Sequence, residues 1–217
     1  MIKTNKRVYL VRHGQSMDNA SPVFQSVDSP LSPLGTQQAS TIADRLSHIK
    51  FEALISSPVL RARQTANKIS SITGKDVEIS DLFVERIKPS QVDGKPYSDR
   101  VASEKWRDWE KTLYQTKLKF SDGESYDDLL KRADKAIKFL EKRMETTMTV
   151  VSHGYFLRVL IARIIFGEQL TGPLLKKFIE NTSIENTAIT VIDYRDAFEE
   201  EHAWRLWTLN DHSHFAE

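Results

Sequence analysis

The chain has 217 residues, 40% of them hydrophobic and 28% charged, which suits one globular domain with a full core. Lysine and arginine total 31 against 30 aspartates and glutamates, a net charge of +1. That balance excludes a general polyanion surface, so any affinity for an anion must be local. There is no cysteine, which removes disulfides, thiolate metal ligands and a thiol nucleophile together.

The start, from Met1 to Arg7, is polar, and the apolar run behind it is too short for a signal-peptide core. The most apolar helix, 156–166, is interrupted by Arg158 and Arg163 and cannot span a bilayer. These features predict a soluble, cytoplasmic protein.

The first element is a short buried strand, Val8-Tyr9-Leu10-Val11, that breaks at Arg12-His13-Gly14. No core-facing stretch would group a guanidinium, an imidazole and a glycine. In open α/β sheets ligands bind at the carboxyl ends of the strands, so this step points to an anionic ligand. A loop-like stretch, 17–31, follows. Ser32-Pro33 then reads as an N-cap with proline in the first turn, opening a helix to about Ile49 with Leu34, Ile42, Ala43, Leu46 and Ile49 as its apolar stripe.

Residues 53–56 read as a second strand. Ser57-Pro58 repeats the cap-plus-proline pattern and opens a helix to about Ile72, ended by Gly74. Residues 77–79 make a brief third strand. Strand and helix alternating in this way is the grammar of a parallel sheet with right-handed crossovers.

The segment 82–100 is irregular, and 103–118 carries Trp106, Trp109 and Leu113 at helical spacing. Together they predict a small, largely helical cap inserted at about 82–120, packed by the two tryptophans. The clearest helix covers 125–144, with Tyr126, Leu129, Leu130, Ala133, Ile137, Leu140 and Met144 on one face and Ser125 with Asp128 as a capping box. Its charged residues read as a solvated face.

The fourth strand, 147–152, ends like the first, in His153-Gly154, and a helix follows to Phe166. Another is expected over 170–180. Residues 187–194 and 203–209 alternate as a final antiparallel pair, joined by an acidic turn near Glu199 with His202 in the hairpin. His48 reads as a surface residue, and His212 and His214 as a mobile tail rather than metal ligands.

Basic residues thus stand where strand gives way to helix in three places: Arg12-His13, Arg61 one turn into the second helix, and His153. Helix starts add free N–H groups and a positive dipole end, and paired arginines grip phosphate oxygens as lysine cannot.

Leu10-Val11-Arg12-His13-Gly14-Gln15-Ser16 with Asn19 resembles the signature of the histidine phosphatase (phosphoglycerate mutase-like) superfamily. The resemblance continues, in the family's order, through Ser56-Ser57-Pro58-Val59-Leu60-Arg61-Ala62-Arg63-Gln64-Thr65-Ala66, Val84-Glu85-Arg86, Gly123-Glu124-Ser125, Val150-Val151-Ser152-His153-Gly154 and Asn186-Thr187-Ala188-Ile189. It implies one domain, 1–217: an α/β three-layer sandwich with a mostly parallel central sheet flanked by helices, plus the cap.

The resemblance implies His13 as a nucleophile that forms phosphohistidine, with its other ring nitrogen donating to a backbone carbonyl. Arg12, Arg61 and His153 would hold the phosphoryl group, assisted by Asn19 and Gly154. Glu85 would be the general acid, its carboxyl protonated during attack through partial burial or the incoming phosphate charge. No cofactor or metal is implied. The partner would be a small phosphorylated substrate rather than nucleic acid or membrane, with the oligomeric state undetermined.

The sequence departs from the family after Asn19, where Ala20-Ser21-Pro22-Val23-Phe24-Gln25 replaces the usual loop. It departs again after Glu85-Arg86, where Ile87-Lys88-Pro89-Ser90 stands in place of the mutases' Glu-Arg-His-Tyr-Gly. The second departure favours a phosphomonoesterase over a phosphoglycerate-type mutase. A phosphate-binding regulatory protein without turnover is the third reading. Lys88, Lys95 and Arg100 are candidates for meeting a second anionic group.

Overall fold

A computed structural model describes residues 4–195 and 203–215. Strands β1 (Thr4–Arg12), β2 (Ala53–Ser56), β3 (Val77–Ile79), β4 (Thr147–Ser152), β5 (Ile189–Arg195) and β6 (Ala203–Asp211) form one sheet in the order β3-β2-β4-β1-β5-β6. The pairs β2–β3, β2–β4 and β1–β4 are parallel, while β5 runs antiparallel to both β1 and β6. The sheet is open and mostly parallel, as the alternation of elements predicts.

Successive strand side chains point to opposite faces, and the sequence uses both. Val8 and Leu10 of β1, with Met148 and Val150 of β4, join a core shared with helices α4 (Tyr126–Lys142) and α5 (Gly154–Phe166). Val11 and Val151 face the other way, into a core with α1 (Pro33–Ser47) and α2 (Leu60–Thr73). The result is a helix–sheet–helix sandwich. Helix α6 (Gly172–Asn181) packs beside α5. None of the described helices is long and apolar enough to cross a membrane.

Local chemistry sets most helix ends. Ser32 Oγ accepts from Gly35 N to start α1, Ser125 and Asp128 form a reciprocal capping box on α4, and Gly74 closes α2 at φ +68°, a conformation that favours glycine.

Several expectations need correction. Helix α2 starts at Leu60 with Val59 as its cap residue, so Ser57-Pro58 is not its start. The helix in the insert, α3 (Arg100–Thr112), begins and ends earlier than the spacing suggests. Apart from α3 and single turns, the segment 81–124 is irregular. Leu34 is exposed, and Met144 lies beyond α4, 93% exposed. The tail is not free: Ser213–Phe215 forms a turn whose His214 Nδ1 lies 2.9 Å from Arg45 Nη1 on α1. His48 is exposed as expected. The turn near Glu199 and His202 lie outside the described residues.

The start of α1 meets the loop after β1 backbone to backbone. A Cβ at Gly35 would sit 1.8 Å from the Gln15 carbonyl oxygen, and one at Gly14 would sit 2.5 Å from the Gly35 oxygen. Gly35→Ala should therefore cost about 1–3 kcal/mol through forced backbone displacement, read as a lowered urea midpoint at unchanged slope. An unchanged midpoint would show that α1 can slide without cost.

Candidate active site

The parallel register pairs Arg12 with Ser152 and Ser56 with Val151. The next residues, His13, Ser57 and His153, therefore emerge side by side at the carboxyl edge of the sheet. The His13 and His153 rings lie 5.0 Å apart, centroid to centroid, tilted by 59°. Over His13 opens a cleft of about 750 Å³ whose lining includes Arg12, His13, Asn19, Arg61, Glu85 and Gly154 but not the His153 ring, which lies behind it. His153 is fully buried.

His13 Nδ1 lies 2.6 Å from the Gly14 carbonyl oxygen. A carbonyl only accepts, so Nδ1 carries the proton and Nε2 keeps its lone pair. Arg61 Nε–H donates to that Nε2 at 3.2 Å. Burial, and the charges of Arg61, His153 and Arg12, hold the His13 pKa well below its usual value, and burial with Arg61 and Arg12 does the same to His153. Both shifts favour the neutral rings. The backbone hydrogen bond expected of a nucleophilic His13 is present.

Arg61 is 3% exposed. Its Nη1 donates to Ser26 O at 2.9 Å, which ties it to the loop 17–31. Burial lowers its pKa to about 10. Arg12 donates from Nη1 to Ile184 O at 2.7 Å, and its buried Nε has no partner. Burial lowers its pKa also. A Cβ at Gly154 would lie 3.2 Å from that Nε, so glycine leaves the guanidinium its place over the start of α5. Two desolvated guanidiniums thus stand beside two imidazoles, a local concentration of positive charge within a nearly neutral protein.

Glu85 lines the cleft at the start of α5. Its carboxylate accepts from Phe156 N at 2.9 Å and Tyr155 N at 3.3 Å, both in the first turn of α5, and from Arg86 N at 3.0 Å. Arg86 also lines the cleft, its guanidinium lying 4.0 Å from the Tyr155 ring centroid and 4.8 Å from that of Trp106. Asn19 is exposed at the cleft edge, its Oδ1 accepting from Ser16 N at 3.3 Å.

Of the cations suggested for a second anion, Lys88 lines the cleft, paired with Asp93 at 2.7 Å. Lys95 and Arg100 are exposed and not part of its lining. Trp109 is buried, donating to Glu124 O at 2.8 Å, whereas Trp106 stacks on Phe24 and also lines the cleft.

Some supporting residues escaped the sequence reading. Arg132 on α4, read as part of a solvated face, grips Glu124 at 2.7 Å and 2.8 Å and donates to the carbonyls of Leu82, Val84 and Glu85. Glu124 in turn exchanges hydrogen bonds with the backbone of Ile87. This pair fixes the segment that carries Glu85. Asn186 Nδ2 donates to His13 O at 2.8 Å, and Thr65 Oγ1 accepts from Gly14 N at 3.1 Å. Arg158 lines the cleft and donates to Ile179 O and Thr182 O. Among the described residues no group of three or more His, Cys, Asp or Glu could hold a metal ion.

The model of the histidine phosphatase superfamily (branch 1) matches residues 8–210. The chain belongs to that superfamily. This histidine phosphatase is 28% identical over 212 residues to the protein of Escherichia coli (strain K12 / DH10B) named "Probable phosphoglycerate mutase GpmB", covering 96% of this chain and 94% of that one. Its fold matches the alpha-ribazole phosphatase from Shigella flexneri with a TM-score of 0.77 at 22% identity, over 94% of this chain and 96% of the other. It also matches the mycobacterial glucosyl-3-phosphoglycerate phosphatase, TM-score 0.77 at 22% identity, over 95% and 99%.

The two neutral histidines make stability depend on pH. Their folded pKa values lie below the unfolded one, so the unfolded chain binds more protons once pH drops beneath about 6.5, and stability falls there. The melting temperature should decline from about pH 7.5 to 5.5, and by less in His153→Gln. An equal decline in both proteins would remove His153 from this account.

Proposed function

We propose that this histidine phosphatase hydrolyses a small phosphomonoester through a phosphohistidine at His13, without a metal. The observation that carries this is the protonation pattern of His13: Nδ1–H is committed to Gly14 O, and Nε2 holds a lone pair at the floor of a cleft lined by buried guanidiniums. Family membership supports it.

In the first half-reaction His13 Nε2 attacks phosphorus and the ester P–O bond breaks. Arg61 Nε–H moves from His13 Nε2 to a phosphoryl oxygen as the substrate arrives. Arg12 Nε, the orphaned donor, and the His153 ring meet the other oxygens, with Asn19 and the Gly154 end of α5 at the rim. Such transfers depend on positioning and on neutralising the equatorial oxygens. Glu85, entering this step as the acid, passes its proton to the leaving alkoxide. In the second half-reaction the Glu85 carboxylate takes a proton from water, the water oxygen attacks phosphorus, and the P–N bond breaks, returning His13 and free phosphate.

The segment 82–120 serves as a cap over this site within a single domain. The reaction suits a cytoplasmic protein acting on a small phosphorylated metabolite, with no call for nucleic acid or membrane. A phosphoglycerate mutase activity is the second reading, favoured by the name of the 28% identical relatives. The Ile87-Lys88-Pro89-Ser90 segment after Glu85-Arg86 weighs against it.

The deciding assay is p-nitrophenyl phosphate hydrolysis with EDTA present, followed by a panel of phosphorylated metabolites. Turnover should survive chelation and fall by more than about a thousandfold in His13→Ala, as expected when a covalent nucleophile is removed. Residual activity within about tenfold of the parent would remove His13 from that role. Phosphate binding without a trapped phosphoenzyme would indicate a binding protein, and product from bisphosphoglycerate with monophosphoglycerate a mutase.

Glu85→Gln should slow alkyl phosphates far more than activated aryl esters, by about a hundredfold or more in the rate of the first half-reaction. Only the alkyl leaving group needs a proton, while the loss of the base for water is common to both. Equal losses on both substrate types would move the acid elsewhere.

A further inference from the structure

Ser57 stands where the sequence shows an N-cap, yet it caps nothing: α2 begins at Leu60 after Val59. Its side chain is fully buried. Ser57 Oγ lies 2.9 Å from His153 Nε2 and accepts from Val59 N at 3.3 Å. No other partner for this hydroxyl is seen among the described residues.

A hydroxyl has one proton to donate and two lone pairs to accept with. Val59 N–H occupies one lone pair. If His153 Nε2 also donated, the buried O–H would be left without an acceptor and the ring's Nδ1 lone pair without a donor, two unmatched buried groups. The alternative leaves fewer groups unmatched: Ser57 O–H donates to His153 Nε2, and only the ring's other nitrogen has no partner. A ring nitrogen that accepts is unprotonated, so a neutral His153 must carry its hydrogen on Nδ1. That atom is the one side-chain nitrogen of the ring left buried and without a partner.

We propose that Ser57 is a positioning residue that fixes the tautomer of His153, keeping Nδ1–H as a reserved donor for the phosphoryl group transferred at His13. This rests on the phosphatase reading above. Burial and the neighbouring charges of Arg61 and Arg12 keep the ring neutral, which makes the tautomer a real choice. With the proton on the other nitrogen, a lone pair would meet a phosphoryl oxygen and repel it. Ser57 thus acts through His153, without touching the substrate.

The test is the nitrogen-15 spectrum of the imidazoles in the substrate-free protein near neutral pH, with His153 assigned by the signal lost in His153→Gln. The expected result is a neutral ring protonated at Nδ1. Protonation at Nε2, or a doubly protonated ring, overturns the proposal. In Ser57→Ala the ring should move towards the Nε2–H form and orthophosphate affinity should fall by about tenfold, the size of one lost hydrogen bond; Ser57→Thr should restore both.

Persistence of Nδ1–H in Ser57→Ala, or unchanged phosphate affinity, also overturns it. If Ser57→Ala does not fold, the spectrum of the parent protein still decides. The spectra need no turnover. A Ser57-dependent Nδ1–H in a protein that forms no phosphoenzyme would therefore count against the phosphatase reading alone.

Discussion

The register of β1 against β4 is the constraint on which the site depends. Because Arg12 pairs with Ser152 in a parallel ladder, the two strands end level, and the two histidines that follow leave the sheet as neighbours. A slip of one residue would turn one ring to the opposite face. The two cores hold that register. Val8, Leu10 and Val150 are committed to one face, and Val11 and Val151 to the other, so any slip would carry apolar side chains into the wrong layer. The geometry of the cleft floor is thus a by-product of burying valines.

The walls are held differently, by charge. Glu85 lies in an irregular segment with no ladder to fix it, and its place is set from behind by the Arg132–Glu124 pair, with side-chain exposures of 12% and 10%. Removing one partner of such a pair would leave a buried charge unmatched, and the segment would lose three carbonyl contacts with it. On the phosphate side the desolvation of Arg12 and Arg61 is offset only in part by carbonyls. Both guanidiniums keep donors that the protein itself does not fully satisfy. The site is assembled and electrostatically strained before any anion enters.

Much of this was legible in the sequence, and what was not has a common cause. Strands β2 and β4 fall where the apolar runs put them, and the caps at Ser32, Ser125 and Gly74 work by contacts within a few residues. Such signals are local. Ser57-Pro58 carries the same local signal, but the hydroxyl is claimed by His153, 96 positions away. Arg132 sits at polar spacing on α4, and its carbonyl partners lie 47 to 50 residues earlier. His214 looks like tail and is instead docked on α1, where burial lowers its pKa to about 4. The candidate site residues could be gathered by motif, while the contacts that hold them in place could be found only in three dimensions.

The preformed cation cradle has a kinetic consequence. Donors fixed in place before binding do not distinguish the phosphoryl end of an ester from free orthophosphate, because both offer the same oxygens. Binding energy stored in that cradle is shared by substrate and product, and shared energy does not speed turnover. The loop 17–31 is tied to it through Arg61 Nη1 and Ser26 O. On the proposed mechanism, the departure of phosphate, rather than its transfer, is the event this architecture does least to hasten.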